Sequence, residues 1–81
     1  MKGIKKRIDL GPAVIGVRWV SEVEMADVTE TAVGSAPDGA WDDEAVEILL
    51  HQRLKKTPRY ARQILLHEIG HAALDLYHQV S

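Results

Sequence analysis

The residues with the clearest capacity for chemistry form the pentapeptide His67-Glu68-Ile69-Gly70-His71. On an α-helix, the four-residue step separates the His67 and His71 imidazoles by about 40° and 6 Å, so both can reach one ion. Zinc accepts neutral imidazole nitrogen, and a catalytic zinc keeps one position for water. Glu68 could take a proton from that water as it attacks a carbonyl held by the metal. The motif predicts Zn²⁺ on the two histidines with Glu68 as general base; the alternative is a pair of surface histidines beside an incidental glutamate.

The element that must position this motif begins at Thr57-Pro58, because threonine can cap free amides and proline fits the first helical position. Apolar residues then recur at three- and four-residue steps and form one stripe, namely Ala61, Leu65, Ile69, Ala72 and Leu76. We expect one long helix from about Pro58 to Tyr77. Leu66 and Leu74 add apolar character elsewhere on it, which predicts that the helix is covered on more than one face.

Short strands are predicted before the helix, at Ile4 to Leu10, at Val14 to Val20, and in a hairpin that runs from Trp41 through a polar turn to Ala45 to Leu50. Ser21 to Val33 shows no sustained period and is expected to be irregular. The sequence therefore predicts one α+β domain over residues 1–81, in which a small antiparallel sheet packs on the long C-terminal helix.

The amino-acid composition limits the partners that the chain can be expected to bind and the chemistry that it can be expected to perform. A domain of 81 residues has a thin core, and the absence of cysteine removes disulfides and thiolate ligands together. The net charge of -2 argues against nucleic acid as the main partner. No segment approaches the roughly 20 apolar residues of a membrane span. Asp9 and Arg18 flank the apolar run near the start, so we do not interpret it as a signal peptide, and the expected compartment is the cytoplasm.

Ala45 to Leu50, then Leu54, then Ile64 to Ala72 with its motif, resemble the compact zincin metallopeptidases of phages and mobile elements, the ImmA/IrrE-like group. The resemblance covers about the last half of the chain, in the order strand, short loop, active-site helix. It implies a zincin-like α+β fold, zinc on His67 and His71, Glu68 as base, and a protein or peptide substrate. It also implies that the strand before the helix is the edge that aligns an extended peptide. A phage-encoded chain would act in the host cytoplasm.

The chain departs from that group at the third zinc ligand, which zincins often take from a glutamate or aspartate on a later helix. Only residues 72–81 follow the motif. His78 ranks first and Asp75 second, although an unbroken helix would place His78 about 10 Å along the axis from His71. His51 is a reserve ligand, with a solvated loop histidine as the favoured interpretation. Three explanations stay open: a ligand from another subunit of a homo-oligomer, a water-rich two-histidine site, or a chain shortened relative to its relatives.

Other polar and aromatic groups have simpler interpretations. Asp42, Asp43 and Glu44 are expected to form a polar turn, and the basic residues near Lys6 and Arg53 are expected to be solvated. The aromatic residues are expected to pack in the core instead of lining a pocket or an oxyanion site, and they are Trp19, Trp41, Tyr60 and Tyr77.

Two rival functions remain from the residues alone. One is a non-enzymatic phage or mobile-element protein that keeps the metal site as a structural or vestigial feature. The other is a helix-plus-sheet interaction module that binds no metal.

Overall fold

The computed structural model describes residues 6–11 and 13–80, with side chains described to residue 78. In chain order the elements are β1 (Arg7–Asp9), β2 (Val14–Val20), α1 (Glu22–Thr29), β3 (Gly39–Asp42), β4 (Glu47–His51), a 3₁₀ helix (Gln52–Lys56) and α2 (Pro58–Val80). The expected α+β class is confirmed. The strand at Val14 to Val20 and the hairpin formed by β3 and β4 are also confirmed, whereas the first residues of the predicted strand at Ile4 lie outside the described residues.

The four strands form one mixed sheet in the order β1-β2-β4-β3. β1 pairs with β2 and β3 pairs with β4 in antiparallel fashion, but β2 and β4 are parallel, with Val17 opposite Ile48. The prediction of a purely antiparallel sheet was therefore wrong. Parallel neighbours need a crossover connection, and residues 21–46 provide it through α1 and β3.

Helix α1 lies where irregular structure was predicted, so that prediction was wrong. Ser21 caps the helix, because its Oγ accepts a hydrogen bond from the Glu24 amide at 3.2 Å. Glu22 and Glu24 place negative charge in the first turn, where the helix dipole favours it. Only Met25 and Ala26 are buried, so the helix has almost no apolar period to detect. A serine followed by glutamate three residues later was the available signal.

Helix α2 begins at Pro58 as predicted and extends past Tyr77 to Val80. Its buried stripe packs on the face of the sheet that carries Ile15, Ile48 and Leu50. Leu66 and Leu74 are exposed, so the expectation that α2 is covered on more than one face was wrong. One 23-residue helix over a four-stranded sheet leaves its outer side to solvent.

The sheet separates two apolar clusters. The larger one lies under α2, and Trp19 and Trp41 pack against it as expected for both indoles. The smaller one lies on the opposite face, where Val20 and Leu49 meet Met25 of α1. Ile48 and Leu50 thus share one face and Leu49 takes the other, as strand alternation predicts. Within the described part of the chain, no helix combines the length and the apolar character needed to cross a membrane.

Candidate metal centre

His67 and His71 lie one turn apart on α2, and their side chains converge. The two Nε2 atoms share a hydrogen bond at 3.0 Å in which either ring could donate, with ring centroids at 4.6 Å and ring planes at 81°. Two nitrogens bound tetrahedrally to one zinc at about 2.0–2.1 Å would lie about 3.3 Å apart. The observed pair therefore needs to open by only a few tenths of an ångström to hold one zinc ion. Both imidazoles are exposed, so an ion can reach them.

Glu68 lies beside this pair but turns towards the sheet. It is only 9 % exposed, and a Cβ placed on Gly39 of β3 would lie 3.2 Å from its Cγ and 3.5 Å from its Oε2. Among the residues that the structure describes, none donates a hydrogen bond to the Glu68 carboxylate or forms an ion pair with it. The side chain of Glu68 is thus mostly covered, while its carboxylate oxygens keep access to solvent.

Strand β3 lies along the same side of α2. Trp41 of β3 donates a hydrogen bond from Nε1 to Asp75 Oδ2 at 3.0 Å, one helical turn after His71. The resemblance placed the free edge at Ala45 to Leu50, but β4 is paired on both sides, by β2 and by β3. That expectation was wrong, and in the described part of the sheet β3 is the edge next to the motif. The order of strands, and not strand propensity, decides which strand has a free edge.

None of the other candidate ligands joins the histidine pair. Asp75 is occupied by Trp41. Helix α2 continues unbroken through His78, which places His78 about 10 Å along the axis from His71. Across residues 6–11 and 13–80 no group of three histidine, aspartate or glutamate side chains is positioned to hold a metal ion. The described residues of one chain thus supply two imidazoles, with the Glu68 carboxylate on the same turn of α2.

His51 is neither a solvated loop residue nor available to a metal, so that interpretation was wrong. It is 5 % exposed, its Nδ1 accepts a hydrogen bond from the Arg53 amide at 3.1 Å, and its Nε2 lies 2.7 Å from Glu22 Oε1. Because Nδ1 is the acceptor, Nε2 carries the proton and donates to the carboxylate. Both ring nitrogens are occupied, and His51 caps the 3₁₀ helix.

Glu22 is the centre of a polar network that no pattern in the sequence predicts. Its Oε2 accepts hydrogen bonds from the amides of Gly34 at 2.7 Å and Ala36 at 3.3 Å. The hydrogen bonds from His51 and Gly34 lower the pKa of Glu22. Arg53 extends the network with an ion pair to Asp38. These partners are far apart along the chain, so no local sequence pattern indicates that they meet.

Tyr60 connects this network to the start of α2. Its hydroxyl donates to Asp38 Oδ2 at 3.1 Å, and that contact raises the pKa of Tyr60. Tyr60 and Tyr77 are both exposed, so the expectation that they pack in the core was wrong. The expected polar turn is confirmed, because Asp42 Oδ1 accepts hydrogen bonds from the amides of Glu44 and Ala45.

Comparisons with protein-family models, with curated proteins and with solved structures find no match for this chain.

Proposed function

We propose that this chain is a minimal zincin-type metallopeptidase, in which His67 and His71 hold Zn²⁺ and Glu68 is the general base. The observation that carries the proposal is the pair of Nε2 atoms at 3.0 Å on the helical turn that also carries Glu68, whose carboxylate has no hydrogen-bond partner among the described residues. Bound zinc would polarise a carbonyl and lower the pKa of water. The order of strand, short 3₁₀ helix and motif helix also agrees with what the resemblance implies.

Glu68 performs the proton transfer in this proposal. Its Oε2 accepts a proton from the attacking water and delivers it to the leaving amine, as a general base does. The close approach of Glu68 to Gly39 keeps its carboxylate on the side of α2 that faces β3. The base is thereby held by packing, without a hydrogen bond that would compete for the proton.

An extended protein or peptide segment is the substrate class that suits this surface. Strand β3 has β4 on one side only in the described sheet, so its other edge can pair with an added strand. A segment paired there would run past Gly39, next to Glu68. Backbone pairing of this kind selects for extended conformation more than for particular side chains.

The Glu68→Gln variant tests the proposal, because the amide keeps the shape of the side chain and cannot accept the proton. With zinc bound, we expect hydrolysis of a fluorescently labelled, unfolded protein to fall roughly 10²- to 10⁴-fold. Zinc binding, followed by calorimetry, should be retained. Glu44→Gln makes the same chemical change in the exposed turn and should hydrolyse like the parent chain. Equal hydrolysis by zinc-loaded Glu68→Gln and parent would refute Glu68 as the base.

A second candidate function is a non-enzymatic protein of phage or mobile-element type that keeps the metal site for structure or as a remnant. The observation in its favour is the lack of a third protein ligand within the described residues. It predicts that zinc stabilises the parent chain while no hydrolysis occurs. An interaction module without metal predicts neither effect.

A further inference from the structure

The side of α2 that faces away from the sheet carries a continuous apolar stripe. Leu66 is 66 % exposed, Leu74 is 74 % exposed and Tyr77 is 57 % exposed. Gly70 lies between the two leucines, and no atom lies within 4 Å of the position where its Cβ would be. Single exposed apolar residues are ordinary, but a stripe along one helix indicates a surface that another molecule covers.

The spacing of this stripe is self-complementary. Leu66 and Leu74 each lie four residues from Gly70, on either side of it. If the α2 helices of two copies pack antiparallel with Gly70 against Gly70, Leu66 of each copy meets Leu74 of the other. That is the isologous contact of a two-fold dimer. Glycine at the crossing point lets the two axes approach to the short end of the usual 8–10 Å.

The same arrangement completes the coordination of the metal. His67 and His71 lie about 60° and 100° around α2 from Gly70, so the two-fold axis places both histidine pairs on the same side of the helix pair. The midpoint of each histidine pair is one residue from Gly70 along its helix. The positions of the two midpoints therefore differ by about 3 Å along the helix axes. Zinc in a structural site takes four ligands. Two copies supply four imidazoles, where the described residues of one copy supply two.

We infer that a second copy of this chain binds the outer face of α2 and that one Zn²⁺ links the two copies through His67 and His71 of each. This inference rests on the zinc site of the proposed function. Four imidazoles leave no position for water. The linked dimer is therefore the inactive form of the peptidase, and the zinc-loaded monomer is the active form.

The size of the stripe makes dimerisation depend on the metal. A helix about 12 Å wide and about 34 Å long offers roughly 400 Å² on one face. A standard interface buries about 800 Å² per partner. The apolar contact alone is too small for a stable dimer, and the shared ion supplies the rest of the binding free energy.

Sedimentation velocity of the full chain tests the inference, with Zn²⁺ at half an equivalent or with a chelator. We expect a monomer in chelator, a dimer in zinc, and one zinc per two chains by calorimetric titration. Leu74→Glu should stay monomeric in zinc. Val23→Glu, at a residue of α1 that is 64 % exposed, adds the same charge away from the stripe and should dimerise like the parent.

The outcomes separate this inference from the proposed function. A monomer that binds one zinc per chain and hydrolyses protein with dependence on Glu68 overturns the dimer and leaves the peptidase standing. A zinc-linked dimer that forms equally well in Leu74→Glu overturns the α2 interface. A dimer that persists in chelator overturns the metal link. A zinc-linked dimer whose parent chain shows no hydrolysis on dilution to monomer supports the interface and overturns the peptidase. A chain that binds no zinc overturns both.

Discussion

Glu22 holds together three segments that are distant in the sequence. One carboxylate oxygen lies 2.7 Å from His51 Nε2 and the other lies 2.7 Å from the Gly34 amide. These contacts lower the pKa of Glu22 from its ordinary value of 4.5. Folding thus favours the ionised form. The resulting stabilisation is complete above the unfolded pKa and is lost as the pH falls through the lower pKa of the folded chain.

We expect the urea midpoint of the parent chain to fall as the pH is lowered from about 6 to about 3, and to fall less in Glu22→Gln, which cannot titrate at this position. Unfolding followed by circular dichroism at each pH measures the effect. Because other carboxylates also titrate, the difference between the two chains is the relevant quantity, and Glu44→Gln is the control for losing one exposed carboxylate. The same pH dependence in Glu22→Gln and in the parent would contradict this account.

The histidines show how surroundings decide the role of one residue type. His51 is buried, with both ring nitrogens in hydrogen bonds to protein groups. His67 and His71 are exposed, and their Nε2 atoms face each other. The two Nε2 atoms of the second arrangement share a hydrogen bond whose proton an ion could replace, whereas the ring nitrogens of His51 are bound to Arg53 and Glu22.

Helix α2 and strand β3 are in close contact at Gly39. A Cβ at that position would lie 2.5 Å from Ile64 Cγ2, closer than real Cβ atoms approach, and 3.2 Å from Glu68 Cγ, which is a tight contact. Gly70 is the opposite case, because its Cβ would meet open space. The two glycines therefore have different reasons to be present, one in packing and one on a free face.

For Gly39→Ala we expect a loss of roughly 1–3 kcal/mol in the free energy of unfolding, because the added methyl group pushes β3 away from α2. For Gly70→Ala we expect a gain of about 1 kcal/mol, since alanine is the better helix former and meets no obstacle. Urea unfolding in the presence of chelator measures both in the monomer. Stabilisation by Gly39→Ala would show that the contact with Ile64 relaxes without cost.

We expect a small free energy of unfolding for the whole molecule, because 81 residues divide their apolar side chains between two clusters on opposite faces of one sheet. A metal that binds only the folded state adds its binding free energy to that small sum. The proposed zinc site therefore has a thermal signature that does not depend on catalysis.

With zinc at about 100 times its dissociation constant, we expect stabilisation of about 2.7 kcal/mol, which corresponds to a rise in Tm of roughly 10–20 °C for a domain of this size. His71→Ala should abolish the rise, and differential scanning calorimetry measures it. His78→Ala should keep the rise, because the unbroken helix places His78 about 10 Å along the axis from His71. Loss of the rise in His78→Ala would identify His78 as the third ligand, through a break in α2.

Several features could be predicted from the sequence because their signals are local. A few consecutive residues are enough to predict each of these features, which are the apolar period of α2, its start at Pro58, the β-branched run of β2 and the hairpin of β3 and β4. The spacing of His67 and His71 predicts their convergence for the same reason, since helix geometry alone brings them together. The zinc ion, the zincin assignment and the peptidase activity remain predictions.

Only the tertiary structure decided which distant segments meet. Val17 and Ile48 pair in parallel, so β4 is interior and β3 is the edge, and no local pattern distinguishes these two arrangements. His51 contacts Glu22, which lies 29 residues away along the chain. Helix α1 is held by the Ser21 cap and by two buried residues, Met25 and Ala26. Periodicity depends on neighbours along the chain, whereas strand order and buried polar pairs depend on the free energy of the whole packed molecule.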